Sequence, residues 1–504
     1  MKTFVFFTAT LLLFTTVFAQ QKTYNVKAFG ARGDSKTNNA AAIQAAINAA
    51  HKNGSGKVII PAGYFVTGPL KLKSGVTLHL LEDAVLLGST KRMDYGTGAA
   101  AALISADNGT NISITGKGTI NGRGRELIKD LFTLLHQGKL QDEQWRIKRP
   151  TEKSRPKIIE FTDCKNVTVR GITVKNSATW VQDFIGCDGV IIDSVQVEST
   201  EYWNNDGIDI VNSKNVKITN CTVDVADDAI CLKSEGKPGI CENIYVANCR
   251  LRSSASGFKI GTGSHGGFKN ITVRDLFVYN TYRSAIALEA VDGGFLENID
   301  IRNVTAKYTG NAIFIRLGHR NKDEKYSTVN KIYIGNVKVE VPAGKPDIGY
   351  PVEGPRLLFP HNVFPASVTG IPGHPVQDVT LENIEIIYEG GADTNVAHFA
   401  KDSLQQVPEN IAGYPEFSMF GELPAWGFYV RHVQGMKMKN ITLSYKNEDY
   451  RPCAIFDDVK NLELSDIHIP SGKQAPVIIL NKVIHHSFDK LQLPFSVPSA
   501  VQIQ

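Results

Sequence analysis

The sequence predicts an all-β fold, a single-stranded right-handed parallel β-helix with an N-terminal capping helix. A short motif recurs from Cys164, Cys187, Ser213, Cys241, Phe268 and Leu296, at intervals of about 22–28 residues. Each copy alternates apolar and polar residues with period two, as a strand with one buried face does. The copies follow one another without helical patterns between them, which excludes βαβ units. A solenoid meets both observations, because each coil buries its inward residues against the coils on either side.

Residues 1–19 read as a signal peptide. Met1 and Lys2 give a positive start, Phe4 to Phe18 is almost wholly apolar, and Val17-Phe18-Ala19 precedes Gln20 as a cleavage site. The run is short for a membrane span and no stop-transfer charge follows it. Export to the periplasm or the exterior is therefore expected, with no membrane span. Residues 20–504 are expected to form one β-helix domain. The stretch from Asn38 to His51 is Ala-rich, with Ile43 and Ile47 at helical spacing, and suits a helix that covers the open end of the core. In each motif the Asn of the Asn-Val or Asn-Ile step is placed at a turn, where its amide can bond the neighbouring coil. Looser copies follow at Asn330, Val376, Met438 and Val459. Segments at about 122–156, 341–375 and 390–430 break the pattern and are expected to be loops overhanging one face.

A net charge of +5 is weak for a chain of this size. Without a dense basic stripe or a recognisable module, nucleic-acid binding is not expected. Gly261-Thr262-Gly263 lacks the strand-to-helix context of a phosphate cradle. The seven cysteines show no CxxC pair and no His at ligand spacing, so buried thiols stacked between coils are expected rather than disulfides.

Two acidic clusters each open a repeat: Asn204 to Asp209, and Asp227 to Lys233. Stacking brings Asp206, Asp227 and Asp228 onto one face. Close like charges cost stability, and that cost points to acid/base chemistry or a cation site. Aligning Ile208, Ile230, Phe258, Ile286 and Ile313 as one inward column, and Ile210, Leu232, Ile260, Leu288 and Ile315 as the next, sets the outward residues. Those are Asp209, Cys231, Lys259, Ala287 and Phe314, then Val211, Lys233, Gly261, Glu289 and Arg316. The face thus offers carboxylates for proton transfer beside Lys233, Lys259 and Arg316 for an anionic ligand, with Glu289 among them. Asp209 is expected to structure its turn.

On these residues the chain resembles glycoside hydrolase family 28, the polygalacturonase-type pectinases on a pectin-lyase-like solenoid. The likeness begins at Tyr24 to Asp34 and Ile59 to Tyr64. Asn205-Asp206 stands where the family has Asn-Thr-Asp, Asp227-Asp228 matches its Asp-Asp pair, and Ser256 to Asn270 resembles its next segment. The resemblance implies Asp227 as general acid and Asp206 with Asp228 as the pair that activates a water. It implies no metal or cofactor, and a pectic poly- or oligosaccharide as partner of a monomeric enzyme.

The chain also departs from the family. The Gly-His-Gly motif falls at Ala255-Ser256-Gly257, leaving His265, nine residues on from Ser256, as a substitute. The Arg-Ile-Lys motif falls at Ala287-Leu288-Glu289. Loss of both cations argues for a neutral sugar beside Glu289, as in a rhamnogalacturonan-type bond, with Lys233, Lys259 and Arg316 on the acidic side. An exo-acting polygalacturonase is the alternative, since an insertion with Tyr414, Phe417, Phe420, Trp426 and Tyr429 can close one end of a cleft. A lyase needing calcium and a non-catalytic binding solenoid are the further rivals.

Overall fold

The computed structural model describes residues 22–236, 239–392 and 403–504. The predicted signal peptide lies outside them, as do residues 393–402 of the third insertion. Strands run parallel and stack coil on coil, each early strand pairing with the third one beyond it. The chain is a parallel β-helix. Among the described residues no helix is long and apolar enough to cross a membrane.

One column of strands carries the acidic clusters. It runs through β1 (Ile159–Thr162), β2 (Gln182–Ile185), β3 (Ile208–Val211), β4 (Ile230–Ser234) and β5 (Phe258–Ser264). It continues through the ends of β6 (Gly267–Ala290) and β7 (Phe295–Leu317), then β8 (Ala366–Thr369) and the start of β9 (Phe428–Asn447). Ile208 pairs with Ile230, Ile230 with Phe258, Phe258 with Ile286 and Ile286 with Ile313, as the apolar alignment requires. All five are fully buried. Each such side chain contributes about 1.5–3 kcal/mol over its exposed state. A slip of one residue would turn all of them out to solvent.

The expected outward column breaks at one place. Leu232 pairs with Ile260 but Ser234 with Ser264, so Gly261 to Gly263 bulge out of the ladder. Gly261 has φ +88°, and a Cβ there would lie 2.5 Å from the Glu289 carbonyl oxygen. Only glycine lets these coils approach so closely.

Asparagines hold the turns. Asn166, Asn215, Asn243, Asn270 and Asn298 all sit at positive φ. Their amides form a ladder, Asn298 donating to Asn270, Asn270 to Asn243 and Asn243 to Asn215, at 2.7–3.2 Å. A second ladder runs from Asn440 through Asn383 and Asn336 to Asn303. Asparagine tolerates the left-handed conformation and leaves its amide free to bond. All seven cysteines are buried and unbridged.

Helix α1 (Ala40–Lys52) buries Ile43, Ala46, Ile47 and Ala50 over the end of the core. The first insertion is not all loop. It contains α2 (Gly124–His136), whose Leu127, Ile128, Leu131 and Leu135 are buried at helical spacing. The third insertion packs Leu404, Val407, Phe417, Phe420 and Leu423 with Phe314, Phe364 and Tyr429 into a separate apolar cluster. Trp426 is buried in the main core, and Tyr414 is half-exposed.

Candidate active site

The turn before β3 is built around Asn205, which is fully buried. Its Oδ1 accepts from Ser199 Oγ and from the N–H groups of Glu201 and Tyr202, at 3.0–3.2 Å. Its Nδ2 donates to the carbonyls of Ser177 and Thr179 at 3.1 and 2.9 Å. These bonds leave Asp206 little freedom. Asn205→Asp keeps the shape but sets a carboxylate oxygen against two carbonyls. Urea unfolding is expected to show about 1–3 kcal/mol of lost stability, with kcat falling more than KM changes.

Asp206, Asp227 and Asp228 each bring one oxygen within 4.8 Å of the others. Asp206 and Asp228 are buried, and Asp227 is partly exposed. Asp228 Oδ1 accepts from Ser256 N–H at 3.0 Å, and its Oδ2 meets Lys259 Nζ at 3.0 Å. Asp227 Oδ1 accepts from Asp228 N–H at 3.0 Å. Asp206 Oδ2 meets Lys233 Nζ at 3.0 Å, while its Oδ1 has no hydrogen-bond partner among the described residues.

These environments drive the carboxyls apart. Burial, then the charges of Asp206 and Asp228, push Asp227 up to about 7. Burial opposes ionisation of Asp228 too, but Lys259, Arg283 and Lys233 outweigh it and hold Asp228 below its usual range. Burial raises Asp206, with Lys233 working against the rise. One acid that keeps its proton beside one held ionised is the arrangement acid/base catalysis needs.

Lys233 is buried between Asp206 and Asp209 and lies 4.2 Å from the centre of the Trp180 ring. Asp209 is therefore no turn residue: it is fully buried and ion-paired, the next rung to Asp183. Lys259 is bonded to Asp228 and reaches Glu289 at 3.8 Å and the Tyr414 hydroxyl at 3.5 Å. Glu289 is buried, and burial pushes it up to about 7 despite Lys259. Its Oε2 has no hydrogen-bond partner among the described residues.

Two expected contacts fall elsewhere. Arg316 is buried and donates to the carbonyls of Gly370, Glu409 and Asn410 at 2.7–3.2 Å. It anchors the third insertion instead of facing a ligand, because that insertion lies over its strand. His265 is exposed on the turn after β5, where its N–H donates to the Ser234 carbonyl.

Arg283 escaped the sequence reading. Its N–H bonds the Ala255 carbonyl, Asp227 N–H bonds that of Asn205, and Ala229 N–H joins the two coils by bonding that of Ser256, so Asn205, Asp227, Ala255 and Arg283 lie in one column of turns. Alignment by strand positions alone stopped short of this column, which lies beyond a register shift between Thr281 and Ser284. Burial works against the guanidinium's charge, but Glu416, Tyr414, Asp227 and Asp228 outweigh it and keep it charged.

A water reaching about 2.8 Å to each side can bridge carboxylate oxygens at this spacing. The nearest oxygens lie closer than the roughly 6.5–9.5 Å between whole carboxyls typical of inverting glycosidases, so this spacing does not itself fix the stereochemical outcome. The trio also has the spacing of a cation site, but Lys233 and Lys259 already supply positive charge to Asp206 and Asp228.

Residues 51–348 match the model of the family described as glycosyl hydrolases family 28. An exo-poly-α-D-galacturonosidase of Dickeya chrysanthemi is 31% identical over 258 residues, 43% of this chain and 42% of that enzyme. The chain thus spans less than half of that relative. A probable polygalacturonase of Arabidopsis thaliana is 25% identical over 472 residues, 86% of this chain and 94% of its own. The crystal structure of a hyperthermoactive exopolygalacturonase from Thermotoga maritima superposes with a TM-score of 0.58 at 25% identity, covering 73% of this chain and 88% of that one.

Proposed function

Since the chain belongs to glycosyl hydrolases family 28, we propose that it is exported and, as a monomer, hydrolyses galacturonosyl bonds of a pectic poly- or oligosaccharide by single displacement with inversion. The observation that carries this reading is the contrast within the trio: Asp227 pushed up to about 7 beside Asp228 held low. Asp227 gives its proton to the glycosidic oxygen as the C1–O bond breaks. A water held by Asp206 and Asp228 attacks C1 from the opposite face and loses its proton to one of them. No step draws on a metal or cofactor.

A rhamnogalacturonan-type bond is the second reading of specificity. It is favoured by Ala287, and by Glu289 Oε2, which faces Lys259 at 3.8 Å but accepts no hydrogen bond among the described residues and suits a hydroxyl better than a carboxylate. Names of relatives favour an exo-acting polygalacturonase instead.

The test is product analysis with EDTA present, offering homogalacturonan and rhamnogalacturonan separately and following the new reducing end by NMR. Saturated fragments whose first anomer is β, from α-linked galacturonide, are expected. An α anomer would overturn inversion, and an unsaturated, ultraviolet-absorbing ring would make the enzyme a lyase. Absence of product from either polymer would favour a binding protein.

A further inference from the structure

The cations beside the trio are unequally committed. Lys233 is bonded to two aspartates, Lys259 to Asp228, and Arg316 to backbone carbonyls. Arg320 forks onto Asp292 at 2.8 and 3.1 Å. A uronate entering among Asp206, Asp227, Asp228 and Glu289 needs a cation that these carboxylates do not occupy. Resting on the reading above, we propose that Arg283 binds the carboxylate of a galacturonate-type residue seated against Tyr414, in place of the cations absent from positions 287 and 289.

Three observations support this assignment. Arg283 stands in the same column of turns as Asp227, and the rung between them holds the short side chain of Ala255. Among the described residues the one ion pair of Arg283 is with Glu416 at 3.3 Å, both side chains partly exposed, and its Nε has no hydrogen-bond partner. Tyr414 is 49% exposed. Its ring has Lys259, Arg283 and Arg320 at 5.6, 5.9 and 5.7 Å from its centre. An open aromatic face takes the apolar side of a sugar ring, and a planar guanidinium at its edge matches a carboxylate. The substrate carboxylate would displace Glu416, a partner held at the rim of the site.

Steady-state kinetics on a de-esterified oligogalacturonide tests this with the full chain and Arg283→Gln, Arg283→Lys and Glu416→Gln. Arg283→Gln is expected to raise KM on the order of 100-fold while kcat changes far less, and Arg283→Lys to recover part of the loss. Glu416→Gln removes the competitor and is expected to lower KM. If Arg283 only fastens the loop through Glu416, both Gln variants lose activity alike, and the proposal falls. Unchanged KM in a folded Arg283→Gln also overturns it, while leaving the hydrolase reading intact. Should Arg283→Gln fail to fold, the sign of the KM change in Glu416→Gln decides. A wild-type protein inert on every uronate polymer would remove the hydrolase reading itself, and this proposal with it.

Discussion

Asp227→Asn is expected to lower kcat about 10³-fold while KM stays within about two-fold, because the amide keeps the shape of the carboxyl and loses its transferable proton. The same residue sets the alkaline limb of the pH profile. In the proposed role of general acid Asp227 works only when protonated, and its carboxyl is pushed up to about 7 by burial and by Asp206 and Asp228. Activity is therefore full below that value and falls as pH rises through it. Asp228 is held low by Lys259, Arg283 and Lys233 and stays ionised well below that pH, so the acid limb lies further down. The fitted values belong to the cluster as a whole, since the three carboxyls titrate together. An Asn variant that keeps its rate, or a profile flat across neutrality, would remove Asp227 from its role.

Lys233→Met should be the most damaging change to the folded state. The ammonium is buried between Asp206 and Asp209, and Asp183 lies one rung beyond. Its removal leaves buried carboxylates without their counter-ion, at a cost of about 3–5 kcal/mol. Burial already raises Asp209 well above its ordinary value and Lys233 opposes the rise, so without the lysine Asp209 is raised further. A folded pKa above the unfolded one means the native state binds more protons between the two values. Stability conferred in that window is lost as pH rises. Urea melts should accordingly show a larger deficit at pH 8 than at pH 5, and adding Asp209→Asn should recover part of it. Equal deficits at both pH values would show that the loss comes from packing against Trp180 and not from charge.

The strand register and the aspartate trio were legible because both are properties of periodicity. Apolar alternation tells which way Ile208, Ile230, Phe258, Ile286 and Ile313 leave the backbone, and stacking does the rest. Periodicity is silent on reach and on what covers a strand. Arg316 points outward as read, yet an insertion lies over it and takes its donors. Asp209 also points outward, into a buried ion pair that only the folded length of Lys233 reveals. Arg283 acts from a turn, where alternation gives no direction. Helix α2 was hidden inside a segment read as loop, although Leu127, Leu131 and Leu135 carried its period.

The asparagine ladders bind each coil to its two neighbours and to nothing more distant. A molecule joined this way has no keystone whose loss brings the whole down at once. Unravelling starts at an open end and travels inward coil by coil, as a zipper parts. Asp206, Asp227 and Asp228 lie on adjacent mid-chain rungs, far from either end, so the proposed site belongs to the part of the protein that heat or a protease is expected to reach last.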